Sequence, residues 1–413
     1  MKRALRIVLV ALAALVVVIA VAVGLAVLSA ERAFTRHWDV TAPAIAAASS
    51  PDGIARGRHL FQMVCAGCHL DEHGRAAGKF MDDVPAFLGA FYPANITSDR
   101  KHGIGAFADR DLVRLLRTGV KRDGRIAGVM PRFTGLSDDD VAALLGYLRS
   151  DDPIFAPVPA SQPPVKPTVV GKLILRFIVG ADPAPAPAGP VAAPARAATA
   201  DYGRYLVLEV VQCGDCHSPG FAGDKSRKEG AFTGGFELAD ARGRPIYSAN
   251  LTPDARTGIG AYGEADFARA VRDGFRPDGR ILRPPMPRFR MLDDVELAAM
   301  NAFFRTLPPV HRDIERPAPD AAPAGDDAAA RFVALGCVGC HGEGALFREK
   351  LRPAADHTVE EVTRRILHPE SFNASTQMPT FSGRVDEAQA RALAEYAQAE
   401  ARKLGTAARK ATP

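Results

Sequence analysis

The 413-residue sequence has no concentrated basic run. Its formal net charge of +5 is spread along the chain, so nucleic acid is not indicated as a partner. It has no cysteine to spare: all six fall into three pairs of identical spacing, Cys65/Cys68, Cys213/Cys216 and Cys337/Cys340. That excludes the scattered framework of a disulfide-stapled secreted protein. Runs of alternating apolar and polar residues are missing, and the pattern between loops is helical. Nucleophile–base pairs, a Walker-type loop and a dinucleotide fingerprint are also missing. Gly103-Ile104-Gly105 and Gly258-Ile259-Gly260 lack both the third glycine and the preceding strand that such a fingerprint needs.

What is present begins with length. A chain of 413 residues exceeds one ordinary core and suits two to four domains. Lys2, Arg3 and Arg6 precede an uncharged apolar run over residues 7–28, and Glu31 follows. At about 1.5 Å per helical residue that run matches the ~30 Å hydrocarbon core. The positive-inside rule leaves the remainder outside the cytoplasm. A retained anchor is favoured, because signal h-regions are shorter; a cleaved signal ending at Ser29-Ala30 is the competing reading. Both export the protein.

Eleven of the 32 prolines lie between Pro153 and Pro194, and a second cluster runs through Pro308, Pro309, Pro317, Pro319 and Pro323. Proline at this density ends helices and central strands, so both stretches read as semi-extended linkers. The first contains an apolar segment, residues 169–179, too short and too charged to span a bilayer. Lying on a membrane or partner surface and burial between domains are its two readings. Around the linkers the chain repeats itself. Asn95-Ile96-Thr97-Ser98-Asp99 is matched by Asn250-Leu251-Thr252-Pro253-Asp254. Asp123-Gly124-Arg125-Ile126 with Met130-Pro131-Arg132-Phe133 is matched by Asp278-Gly279-Arg280-Ile281 with Met286-Pro287-Arg288-Phe289. Each copy then enters a capped helix, at Ser137 and at Asp293, so the first two segments are duplicated units.

Every cysteine pair runs on into histidine: Cys65-Ala66-Gly67-Cys68-His69, Cys213-Gly214-Asp215-Cys216-His217 and Cys337-Val338-Gly339-Cys340-His341. This is the c-type haem attachment motif. Positions i, i+3 and i+4 share a helix face, so two thiols reach the macrocycle edge while the imidazole points at the iron. Zinc would need a fourth ligand, and no βαβ context supports a thioredoxin-like pair. Apolar residues before each motif fit a helix packed on the macrocycle: Leu60, Phe61 and Val64; Tyr205, Leu206 and Val210; Phe332, Val333 and Leu335. For the sixth ligand, Met130, Met286 and Met378 each precede proline, 61, 69 and 37 residues after His69, His217 and His341. A thioether suits haem iron and raises its potential. His357 and His368 remain alternatives to Met378. Met63, Met81, Met291 and Met300 read as core filling, and His37, His59, His73, His102 and His311 as surface residues.

With these motifs the chain resembles the three-haem cytochrome c subunit of membrane-bound alcohol, aldehyde and gluconate dehydrogenases of Gram-negative bacteria. The resemblance covers residues 55–150 and 201–310 well and 327–405 loosely. It departs in the short third segment, in the long N-terminal run where family members commonly begin with a removable signal, and in a loop at 232–236 that the first unit partly lacks. It implies that Asn95 and Asn250 sit in a loop against the haem edge. The expected fold is mostly α, with three class-I-like cytochrome c domains in tandem behind one N-terminal transmembrane helix. The boundaries read 1–30 for the anchor, 51–152 for domain one, 153–200 for the proline-rich linker, 201–310 for domain two, 311–326 for the second linker and 327–405 for domain three.

The expected cofactors are three covalently bound haem c, held by the six cysteines and by His69/Met130, His217/Met286 and His341/Met378. No catalytic residue is assigned. The expected role is electron transfer from a dehydrogenase catalytic subunit to quinone or an oxidase or cytochrome acceptor, in the inner membrane with the haem domains in the periplasm. A free-standing anchored shuttle to a terminal oxidase is the alternative, and a haem peroxidase a further one that requires a haem without its methionine. Divergence of the third segment points to its own docking partner, the soluble or catalytic one, with domains one and two facing the membrane-side acceptor; packing of all three domains into one compact body, with the divergence as neutral drift, is the other reading.

Overall fold

A computed structural model describes residues 2–81, 84–180, 182–220, 228–315, 325–373 and 376–410. Pro317, Pro319 and Pro323 of the second proline cluster lie outside these. Helix α1 (Lys2–Thr35) is long and apolar enough to cross a membrane, by length and composition.

The first segment is built on α2 (Pro51–Val64), α4 (Asp109–Thr118) and α5 (Asp138–Leu148). Ser50 and Ser137 cap α2 and α5 by accepting from Gly53 N and Asp140 N, both at 3.1 Å, which satisfies backbone donors that a helix start leaves open. The two helices cross at glycine: a Cβ on Gly57 would stand 1.9 Å from Ala143 O. Beside the crossing, Phe61, Tyr147 and Phe155 pack edge to face with centroids 5.1–5.5 Å apart. The second segment repeats the plan with α7 (Ala200–Tyr205), α9 (Glu264–Ala268) and α10 (Asp294–Thr306). Here a Cβ on Gly203 would stand 1.8 Å from Ala299 O. Asp293 and Glu296 form a reciprocal capping box at the start of α10. The third segment uses α11 (Ala328–Ala334), α13 (Val359–Leu367) and α14 (Glu387–Lys410).

Two short antiparallel pairs interrupt the helical plan: β1 (Gly89–Ala90) with β2 (Lys166–Pro167), and β3 (Glu237–Ala239) with β4 (Pro245–Tyr247). At two or three residues each they are too short to leave an alternating pattern.

The proline-rich stretches do not hang free. Residues 156–167 form a strap laid over the first segment: Asn95 Nδ2 donates to Val158 O at 2.9 Å and Ala160 O at 2.8 Å, and Gln162 Nε2 donates to Ala77 O at 2.8 Å. The second copy does the same with residues after α10, where Asn250 Nδ2 donates to Val310 O at 2.8 Å. Proline removes a donor but keeps its carbonyl, and a side-chain amide is the matching partner.

The segments also pack on one another rather than standing as beads on a string. One apolar cluster runs continuously from Leu60, Leu116 and Leu145 to Leu206, Met300 and Phe304. Beside it lies a buried polar network. Arg56 on α2 makes a bidentate pair with Asp140 at 2.8 and 2.9 Å and reaches Glu296 at 3.3 Å; His59 Nε2 lies 2.9 Å from both Glu296 oxygens. Tyr205 on α7 in turn donates to Asp140 at 2.6 Å. Asp140 and Glu296 occupy the same position, third in α5 and third in α10. Each unit's first helix therefore reaches the start of the other's last helix, about a pseudo-two-fold axis. His59, expected at the surface, instead belongs to this contact: its Nε2 meets a fully buried carboxylate. The third segment docks on the second through Phe275, Phe332 and Phe381, through an Arg290–Glu370 pair at 3.1 Å, and through Arg384 lying 3.9 Å over the Phe275 ring.

Candidate haem sites

Each CxxCH motif forms one short helical turn: α3 (Ala66–His69), α8 (Gly214–His217) and α12 (Val338–His341). In each, the histidine N–H donates to the carbonyl of the first cysteine, at 3.0, 3.0 and 2.9 Å. That bond is the i to i+4 relation which puts thiol and imidazole on one face. Burial pushes the Cys65, Cys213 and Cys337 thiols up to about 12, which disfavours the thiolate form at these positions. The apolar residues expected on the macrocycle side are in place, with Leu60, Phe61, Tyr205, Leu206, Val210 and Phe332 buried and Val64, Val333 and Leu335 half-buried.

All three imidazoles are held the same way. His69 Nδ1–H donates to Ala94 O at 3.0 Å, His217 Nδ1–H to Ala249 O at 2.8 Å and His341 Nδ1–H to Phe347 O at 3.0 Å. A carbonyl only accepts, so the proton sits on Nδ1 and the Nε2 lone pair is left for a metal. Burial lowers the pKa of each ring, which keeps that lone pair unprotonated. This is the ligand chemistry haem iron requires.

Asn95 and Asn250 hold the acceptor in the first two sites. Each stands one residue after the accepting alanine. Asn95 Oδ1 accepts from Thr97 N at 2.9 Å and Thr97 Oγ1 at 2.7 Å, and Asn250 accepts from Thr252 at the same two distances. With its amide nitrogen on the strap, each asparagine pins the carbonyl that orients the histidine. The third site has no such residue, because Phe347 O comes from the turn just after α12.

The methionines lie in loops. Met130 is half-buried against the first apolar cluster, Met378 against the third-segment cluster, and Met286 is half-buried in its turn. Arg117, fully buried, fixes the chain after Met130 by donating to Phe133 O at 3.1 Å and Thr134 O at 2.9 Å and by pairing with Asp138 at 2.6 Å. His357 and His368, the alternatives in the third segment, lie with Nδ1 3.4 Å from Glu361 and 3.5 Å from Glu370. Sequence reasoning passed over two neighbours of the methionines. Arg132 and Arg288 follow the Met-Pro pairs, and each keeps a buried Nε that has no hydrogen-bond partner among the described residues. Burial pushes the Arg288 guanidinium down to about 10, still a cation at neutral pH. An enclosed cation with a spare donor fits the carboxylates that haem carries.

Comparison with known proteins accords with this geometry. Residues 54–151 match the cytochrome c family model, and residues 323–396 match the model of cytochrome c oxidase, cbb3-type, subunit III. The chain carries cytochrome c domains. Such domains hold haem c covalently through the paired cysteines. Among its relatives is the fructose dehydrogenase cytochrome subunit of Gluconobacter japonicus, 28% identical over 65% of this chain and 55% of that protein. Others are the cytochrome c subunit of alcohol dehydrogenase (quinone) from Gluconobacter oxydans, 28% identical over 54% and 47%, and the gluconate 2-dehydrogenase cytochrome c subunit of Pantoea cypripedii, 28% identical over 54% and 51%. The chain thus spans about half the length of the curated relatives it matches. These relatives are the cytochrome subunits of dehydrogenases.

Proposed function

We propose that the chain is a three-domain cytochrome c carrying three haems, at His69/Met130, His217/Met286 and His341/Met378, and that it takes electrons from a dehydrogenase catalytic subunit and passes them to quinone or a respiratory-chain acceptor. The observation that carries this is the threefold recurrence of a CxxCH turn whose histidine Nδ1–H is tied to a backbone carbonyl. Bound there, haem supplies a one-electron couple. The chain's own residues orient the imidazole, offer a thioether opposite, and exclude water with the apolar helix before each motif. Two protein ligands per iron leave no position for peroxide or oxygen, which favours electron transfer over a haem-enzyme role.

Helix α1 serves as a retained anchor in the inner membrane, with the haem domains in the periplasm. Retention is supported by Ala30, 1% exposed, and by the ion pair of Glu31 with Lys172, both of which tie the helix end to the body. A pyridine haemochrome assay should return three haems per chain, and two or fewer would refute the assignment. Met130→Leu and Met286→Leu should each abolish one sulfur-to-iron absorption band and lower that haem's potential; retention of every band would show the wrong ligand was chosen. Detergent purification from membranes should bring a large dehydrogenase subunit with it, whereas a free-standing shuttle would come alone.

A further inference from the structure

Residues 5–25 of α1 are exposed along their whole length, and 21 helical residues span about 31 Å, one hydrocarbon thickness. The body begins to cover the helix at Ala26 and Val27, both half-buried and still inside the apolar run. What covers it is α6 (Val169–Ile174), continued as a wide helical turn over Leu175–Gly180. This is the apolar segment of the first proline-rich stretch. Lys172 of α6 pairs with Glu31, three residues, or about 4.5 Å, past the end of the apolar run.

The segment buries Leu175 but presents an outward apolar face. Val169, Val170, Phe177 and Val179 are each more than half exposed, and so is Phe87 at 61%. Phe87 belongs to the same face: Thr168 hydrogen-bonds Phe87 O and Leu88 O, and β1 pairs with β2 immediately before α6. Basic and aromatic residues follow the apolar run and precede α6: Arg32 and Lys166 are exposed, and Arg36 is stacked 4.0 Å over Trp38. Tryptophan and basic residues beside a membrane helix mark the headgroup level.

We infer that residues 165–180, with Phe87, insert into the interfacial layer of the lipid bilayer as a second membrane contact that holds the first cytochrome c domain against the surface. The occupant is lipid because the face is continuous with the spanning helix and lies at the depth where its hydrocarbon-facing stretch ends. The inference rests on α1 spanning the membrane.

The test uses the full chain in nanodiscs containing a phosphatidylcholine with a diazirine in the upper acyl chain, followed by illumination and peptide mapping. Adducts are expected on α1, on residues 165–180 and around Phe87, with none on α14. Phe177→Glu combined with Val179→Glu should cut the 165–180 adducts about tenfold or more while leaving those on α1 and the haem spectrum unchanged. Adducts on α1 without any at 165–180 would overturn the inference and leave the anchor standing. A lack of adducts on α1 would refute the anchor, and the inference with it. Adducts at 165–180 that give way to protein cross-links once a dehydrogenase subunit is bound would assign the face to that subunit instead.

Discussion

Asn250 is bonded on every side. Its oxygen accepts from Thr252 N and Oγ1, and its nitrogen donates to Val310 O and, at 3.2 Å, to Thr257 Oγ1. Asn250→Ala leaves buried donors and a carbonyl unmet, at about 2–3 kcal/mol, and frees the Ala249 carbonyl that orients His217. A lowered denaturant midpoint should therefore come with a changed spectrum at one haem only, read by chemical denaturation and low-temperature absorption. Loss of stability with all haem bands unchanged would make the asparagine a strap clasp and nothing more. The CxxCH turns could be read from spacing alone, because the chemistry dictates residue type at each position. The carbonyl lock could not, since every residue has a carbonyl; its one trace was the repeated Asn-x-Thr, whose meaning needed the fold.

At the scale of elements, side-chain caps mark several helix starts: Ser50, Ser137, Asp293 and Thr358 all accept from the helix they precede. Glycines at the crossings were less visible, because a helix interior gives no sign of how near its neighbour comes. Gly203→Ala would drive a methyl against Ala299 O and part α7 from α10, for about 1–3 kcal/mol of overpacking. Thermal unfolding should show the loss, and Gly57→Ala should show a similar one, since a Cβ there meets Ala143 O at nearly the same distance. Equal stability in both variants would mean the helices slide apart freely. The proline-rich stretches were legible as non-helical and non-strand. That they are straps was not, because the partners they meet, Asn95 for the carbonyls of Val158 and Ala160 and Ala77 O for the Gln162 amide, lie far away in sequence.

Across the whole molecule, the contact between the first two units escaped a reading based on repetition because it is made by residues that differ. Arg56 and His59 face Glu296 on one side of the axis, and Tyr205 faces Asp140 on the other. Glu296→Gln should remove the shared anion while Arg56 keeps Asp140, destabilising by about 2 kcal/mol rather than the 3–5 of an orphaned buried charge. The thermal midpoint should fall with haem content unchanged; no shift would make the network dispensable.

That axis has a consequence for how the protein can change. Two copies of one unit, each placing its first helix against the other's last, form the isologous contact of a homodimer. In a homodimer every interface substitution is made twice, so a basic residue gained on one side appears on the other as well. Joined in a single chain, the halves mutate separately while the connection keeps their effective concentration high. The first unit can then hold its neighbour with an arginine and a histidine, the second with a phenol, and each carries a haem site free to drift toward its own potential.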